Sequence, residues 1–500
     1  MGLSPGYSIV KEKAMTGVVF MEIAVCSAPD EPGKCGRRSE RRTDVARRWN
    51  NPLPLALGVD VSLLFLLSIG LAFSGSIWFD ESYTLALVRH DYPDIIRILK
   101  NDMHPPFYFI SLKLWLDCFG YSLAWTKLFS SLGLLATLLL GCTLVRKDFG
   151  TKAARLYILF VAAMPMVYYF SVQQRCYSWC IFWVALCFVM GLRIRDKTAW
   201  YNYAAFAAAF LCSAYNHTYG LVAAGGIALF VNLYCFFYRR NTIRNIIITD
   251  LAILAGYAPW LFILVSQTRN AISGFWLTSL EPLSILLFAV SVVVSVMILR
   301  KKENRRIPVM AGLFCILFVQ VLGLGLSLVV RPLYIARYAA PLMGIFALVL
   351  ALCTSGSFLY DKKRIAILIG IAIIFQYILV FRFEYADSLS GFREEFAKEK
   401  TADDIFLYSD TSFGVMSYYY PDDRHLCFCY ESWFEAWENV RFIDKDSVEE
   451  QKSGGSLWYV VNRQGRIPDW MKERWDMALR YSFRNDFNTF DVYLLENAQE

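Results

Sequence analysis

Charge is scarce in this chain, and that excludes most soluble architectures. Only 19% of the 500 residues are charged, 57% are hydrophobic, and the mean hydropathy is +0.40. A soluble domain carries about 25% charged residues and far shorter apolar runs. Glycine-rich phosphate loops and dinucleotide-binding fingerprints are missing, so nothing marks a nucleotide site. There is no internal repeat at solenoid spacing. The thirteen cysteines show neither zinc nor disulfide spacing and fall mostly in apolar runs, where cysteine acts as a small buried apolar residue. Cys427 and Cys429 lie two apart on an expected strand, on one face and poorly placed to bridge each other.

What the chain has instead is a series of apolar runs, each long enough to span a bilayer at roughly 18–25 residues. Eleven are expected, at about 54–73, 122–145, 154–171, 177–193, 200–215, 218–238, 246–266, 282–299, 307–330, 339–359 and 365–383. The net charge of +7 does not point to nucleic acid, because the basic residues form short clusters between runs. Arg37, Arg38, Arg41, Arg42, Arg47 and Arg48 precede the first run. Further clusters sit at 146–155, 193–197, 239–244, 300–306 and 362–364. Every second connection is basic, which is the positive-inside pattern. It predicts a multi-pass protein of the plasma (inner) membrane with a cytoplasmic N-terminus. The loop at 74–121 and the C-terminal tail are then both periplasmic or extracellular.

Three parts follow. Residues 1–51 read as a basic cytoplasmic leader, disordered or added by an early start codon. Residues 52–384 form the membrane domain, and 385–500 form the tail. Composition changes after Phe383, where charged residues arrive close together. An amphipathic helix is expected at 388–400, strands at 404–409, 457–461 and 489–495, and helices at 411–420 and 468–481. That alternation predicts a small α/β domain. The fold expected is a polytopic α-helical membrane protein of about eleven transmembrane helices with a small C-terminal α/β external domain. Among the tail's tryptophans, Trp433, Trp437, Trp458, Trp470 and Trp475 are expected in the core rather than stacked on sugar.

Loop 74–121 is long for a connection between two spans, and long loops usually have a function. It carries Asp80 and Glu81, then Asp102-Met103-His104-Pro105-Pro106. Short interfacial helices are expected at 80–90 and 105–118. Acids at such positions also serve as helix caps and first-turn residues. Two acidic sites in one loop at a membrane mouth suggest chemistry instead, with a carboxylate as general base and a nearby cation on a leaving phosphate. Other polar residues share that side: Gln173-Gln174-Arg175-Cys176-Tyr177-Ser178, Asn216-His217-Thr218, and Arg337-Tyr338. Arg175 and Arg337 suit a phosphate or anionic headgroup, or snorkel at the interface. Lys127, at the start of the second run, is a further phosphate candidate, as are Tyr338 and His217.

Asp80-Glu81 after the first run, with the Asp102-to-Tyr108 element, resembles the GT-C superfamily of polytopic glycosyltransferases. The resemblance is to family 39, the protein O-mannosyltransferase and aminoarabinose lipid A transferase relatives. The Gln-Gln-Arg-Cys-Tyr-Ser segment at 173–178 is similar to that family's Ser-x-Glu-x-Arg-x-Tyr-Ser region, and Arg337-Tyr338-x-x-Pro341 to another shared element. It covers roughly 52–384. It implies a polyprenyl-phosphate sugar as donor, an acceptor hydroxyl on a glycan, lipid or protein, and an inverting displacement on the external face. Asp80 would be the base, in a catalytic group with Glu81, Asp102 and His104. Arg175, Arg337, Tyr338, Lys127 and His217 would bind the donor phosphate. Two features depart from the family: His104 stands where aminoarabinose transferases have lysine, and Gln174 where relatives often have glutamate. Asp102 and His104 alone leave a divalent metal undecided, since two ligands do not make a site. The partners expected are the donor, its acceptor and membrane lipids, with no nucleic acid. A lipid-linked glycan transporter or flippase, or a glycan ligase or polymerase, is the alternative.

Overall fold

The computed structural model describes residues 55–196, 198–270, 305–329, 335–355, 362–385, 388–428, 435–448, 455–486 and 488–497. The expected leader, the expected span at 282–299, Cys429 and Trp433 lie outside these residues.

The following helices of the described residues precede the C-terminal domain's first helix, short turns and the 141–149 segment that continues the fifth of them aside. They are α1 (Leu55–Leu71), α2 (Phe79–Leu87), α3 (Tyr92–Asn101), α4 (Phe107–Phe119), α5 (Leu123–Leu140), α6 (Thr151–Ala163) and α7 (Val167–Val172). Then come α8 (Tyr177–Asp196), α9 (Trp200–Asn216), α10 (Thr218–Tyr238), α11 (Ile243–Asn270), α12 (Arg306–Val329), α13 (Met343–Ser355) and α14 (Lys362–Tyr385). Among the described residues, seven helical segments are long and apolar enough to cross a membrane. They comprise α5 with its continuation to Phe149, α8, α10, α11, α12, α13 with its preceding turn, and α14. The outer faces are apolar, with Leu254 and Phe262 on α11, Val321 on α12, and Leu368 and Phe375 on α14 all exposed. Large apolar faces of this kind are stable against lipid.

One expected span differs in form. The run at 154–171 is two helices, because Pro165 follows Met164. Proline lacks the N–H that would continue the helix and pushes the residue before it into extended backbone. Met164 is extended (φ −63°, ψ 135°), and Met166 takes the left-handed region at φ 61° before α7 begins. The run at 200–215 is a single 17-residue helix, α9. In the loop, the helices expected at 80–90 and 105–118 are α2 and α4, while α3 was not expected. Pro106 stands at the N-cap of α4 rather than inside its first turn.

The C-terminal domain opens with α15 (Leu389–Glu399), then β1 (Ile405–Tyr408), α16 (Ser412–Tyr419), β2 (Arg424–Cys427), β3 (Val440–Phe442) and β4 (Leu457–Asn462). Helix α17 (Asp469–Arg474), β5 (Trp475–Asn485) and β6 (Asn488–Asn497) complete it. The sheet order is β3-β2-β1-β4-β6-β5, parallel across the first four strands and antiparallel at the last two. Strands β1 and β4 are buried almost throughout, as central parallel strands with covered faces require. The helix expected at 468–481 is a correction: it ends at Arg474, and the rest is β5, paired along its length with β6. Trp437, Trp458 and Trp475 are buried in the core.

Candidate active site

Asp80 lies in the first turn of α2. The helix entry is fixed from within, because the Trp78 N–H donates to Glu81 Oε2 at 3.1 Å. Glu81 Oε1 meanwhile accepts the backbone N–H of Gln174 at 3.0 Å. This ties α2 to the 173–176 connection and brings Arg175 onto α2. Arg175 donates to the Asp80 carbonyl at 3.2 Å and to Thr84 Oγ1 at 3.4 Å, with its Nη2 4.0 Å from Asp80 Oδ2. Arg337, from the 3₁₀ turn Ala336–Leu342 that leads into α13, reaches the same carboxylate oxygen at 3.0 Å. Its guanidinium also lies over the Trp78 ring at 5.2 Å.

Asp102 and His104 join from the other end of the loop. A guanidinium has no acceptor, so the 2.7 Å contact between Arg175 Nη2 and His104 Nε2 makes the imidazole nitrogen the acceptor. His104 Nδ1–H is then left to donate to Asp102 Oδ2 at 3.0 Å, and the Tyr83 hydroxyl donates to the same oxygen at 2.9 Å. Burial raises the Asp102 pKa, but His104, the Met103 N–H and Tyr83 outweigh it and hold the carboxyl at about 2. Asp102, His104, Arg175, Asp80 and Arg337 therefore form one continuous chain of contacts. Among the described residues, no group of three His, Cys, Asp or Glu could hold a metal ion.

The remaining candidates take other places. Glu81 is 4% exposed and faces inward, both its oxygens taken by backbone N–H groups. Burial pushes its carboxyl up to about 8; Glu384 and Asp486 add to the rise, while Lys127 and the Gln174 N–H oppose it. Lys127 is fully buried and bonds Glu384 Oε2 at 2.6 Å and the Ser74 hydroxyl, so its partners are not those of the arginine cluster. His217 caps α10, its Nδ1 accepting the Tyr219 N–H at 3.0 Å. Its ring packs on Tyr338 at 5.2 Å, and Tyr338 stacks on Tyr219 at 5.0 Å. Burial, then the charges of Arg175 and Arg337, push the His217 pKa well below its usual 6.5, leaving a neutral imidazole beside the cluster. Sequence reasoning passed over Trp78, Tyr83 and Thr84. Their signal was helical spacing, since Tyr83 and Thr84 share the α2 face of Asp80 at i+3 and i+4.

Several polar atoms around this cluster are buried without a partner: Nε of Arg175, Nε of Arg337, Oδ1 of Asn216 and both amide atoms of Gln174. Native interiors leave few such groups unpaired. Two guanidinium groups converge on one carboxylate here. Such a site can hold an anion beside a carboxylate able to take a proton.

Fold and site together define a polytopic helical membrane protein with a charged site built from the loops between its helices. The chain is similar in fold to the crystal structure of ArnT from Cupriavidus metallidurans bound to undecaprenyl phosphate, with a TM-score of 0.58 at 12% identity over 88% of this chain and 97% of that one. The apo structure of the same protein gives a TM-score of 0.60 at 12% identity, over 87% and 97%. No family profile matches the sequence, and no curated protein matches it.

Proposed function

We propose that this protein is a family 39-like membrane glycosyltransferase. It moves a sugar from a polyprenyl-phosphate donor to an acceptor hydroxyl on the external face of the inner membrane. The observation that carries this reading is the pairing of Arg175 and Arg337 about Asp80, at 4.0 and 3.0 Å from one carboxylate oxygen. Two guanidinium groups meet at one carboxylate oxygen, and their planar forks suit a phosphate. The likeness to a fold crystallised with undecaprenyl phosphate supports a lipid-linked donor.

In this reading the acceptor hydroxyl gives its proton to Asp80 as its oxygen attacks the anomeric carbon. The bond from that carbon to the phosphate oxygen breaks, and its electron pair leaves with polyprenyl phosphate. Arg175 and Arg337 stabilise the charge that develops on the leaving oxygen. A single displacement inverts the anomeric centre. Asp102, through His104, orients Arg175, so its role is positioning. Glu81 holds α2 against the 173–176 connection, and Tyr338 with His217 forms the wall beside Arg337.

Lipid analysis of a deletion strain tests the reading. A polyprenyl-phosphate sugar is expected to accumulate, and to be cleared by the wild-type gene but not by Asp80→Asn. An unchanged lipid profile argues against a lipid-linked donor. Clearance by Asp80→Asn removes the base assignment.

A further inference from the structure

Besides the bonds within α2 and to the 173–176 connection, the backbone that delivers Asp80 is held by the C-terminal domain. The Gly75 carbonyl accepts the Tyr419 hydroxyl at 2.6 Å. Ser76 Oγ donates to Asn485 Oδ1 at 3.0 Å, and Asn485 Nδ2 donates to the Ile77 carbonyl at 2.5 Å. The Phe79 ring stacks on Trp437 at 5.3 Å and meets Phe413 edge-on at 5.6 Å. Gly414 comes so close that a Cβ there would stand 2.5 Å from Ser82 Oγ and 2.9 Å from the Phe79 ring.

These contacts come from separate elements of the domain. Asn485 lies at the end of β5, at a turn where Asp486 takes φ 53° and accepts the Tyr169 hydroxyl at 3.3 Å. The same strand end is fixed to the start of α15, because Arg484 N donates to Ser388 Oγ at 2.8 Å. Asn485 is 1% exposed, so its amide bonds the Ser76 hydroxyl and the Ile77 carbonyl out of water. A free loop entering α2 would let the Asp80 carboxylate wander, and a displacement of about 1 Å at a reacting group can lower a rate about 100-fold.

We propose that Asn485 and the α16 segment around Gly414 are positioning residues for Asp80. The C-terminal domain thus completes the active site without touching substrate. The inference rests on Asp80 being the base.

The test uses the full chain in lipid nanodiscs, with three readouts. They are hydrogen exchange of residues 79–87, binding of undecaprenyl phosphate, and turnover of the donor lipid fraction from a deletion strain. Asn485→Ala is expected to speed exchange of α2 about tenfold and to lower turnover about 10- to 100-fold. Affinity for undecaprenyl phosphate is expected to stay within about twofold, because neither arginine is touched. Asn485→Asp keeps the acceptor for Ser76 and is expected to recover part of the turnover. Gly414→Ala shifts α2 by insertion rather than deletion and is expected to lower turnover in the same way. Wild-type exchange and turnover in both Asn485→Ala and Gly414→Ala overturn the proposal. So does a turnover loss matched by an equal loss of lipid affinity. Full turnover in Asp80→Asn instead overturns the underlying reading, and the exchange measurement does not depend on it.

Discussion

Arg337 Nη1 lies 3.0 Å from Asp80 Oδ2, joining a loop helix to the turn before α13 across 257 residues of sequence. The contact occupies one oxygen of the carboxylate and leaves the other for a proton. It also sets a permanent cation beside the base, where a phosphate would be held.

Asp80→Asn keeps the side chain's size and its α2 position but removes the proton acceptor. Turnover is expected to fall about 100- to 10,000-fold, the range for loss of a general base. Binding of undecaprenyl phosphate is expected to change little or to tighten slightly, because Arg337 loses its competing carboxylate. Radiolabelled sugar transfer and lipid binding on the purified protein check both arms.

Arg337→Ala should act on the donor rather than on the acceptor. A hydrogen bond to a charged group contributes about 1.5–3 kcal/mol, so donor-lipid affinity is expected to fall about 10- to 100-fold. Arg337→Lys is expected to recover only part of this, since an ammonium lacks the planar fork of the guanidinium. Titration with undecaprenyl phosphate measures the loss. Unchanged affinity in Arg337→Ala would assign this arginine to the membrane interface instead.

Glu81 gives the fold a pH dependence of definite sign. Burial holds its folded pKa at about 8, above the 4.5 of a free glutamate, so the native state binds the proton more tightly than the unfolded chain. The resulting stability is complete below pH 4.5 and is lost as pH rises through about 8. The melting temperature in detergent is expected to fall between about pH 4.5 and about pH 8 from this group. Glu81→Gln is expected to flatten that slope. It should also lower stability at neutral pH, because an amide offers one acceptor oxygen for the two backbone N–H groups that Glu81 serves.

Much of this arrangement was legible in the sequence, and what was not follows a physical rule. Apolar run length and alternating charge identified the bundle, and the loop acids, Arg175 and Arg337 were picked out as residues of one side. Their pairing was not readable, because local periodicity says nothing about which connection closes on which. Lys127 shows the same limit: a lysine at the start of a span resembles a phosphate ligand until Glu384, at the end of α14, is brought against it. The break at Met164-Pro165 was readable from proline alone, yet hydropathy favoured one continuous run. The second half of 468–481 has apolar residues that fit either period, and pairing with β6 decides for a strand.

The Lys127–Glu384 pair is fully desolvated, with side chains 0% and 5% exposed at 2.6 Å, and it ties α5 to α14 beside the Ser74 hydroxyl. Removing one member leaves the other charged in the interior, which typically costs about 3–5 kcal/mol. Lys127→Met is therefore expected to destabilise the protein by about that amount. Removing both charges with a volume-matched Lys127→Met/Glu384→Leu variant is expected to regain most of it, because the pair's own attraction only offsets its desolvation. Since Lys127 bonds neither Asp80 nor the arginines, the double variant should bind undecaprenyl phosphate as the wild type does. Thermal unfolding in detergent and lipid titration on the same samples separate the two roles. A stable double variant that has lost lipid binding would return Lys127 to the phosphate site, and a double variant as unstable as the single one would show that the pair itself holds the bundle.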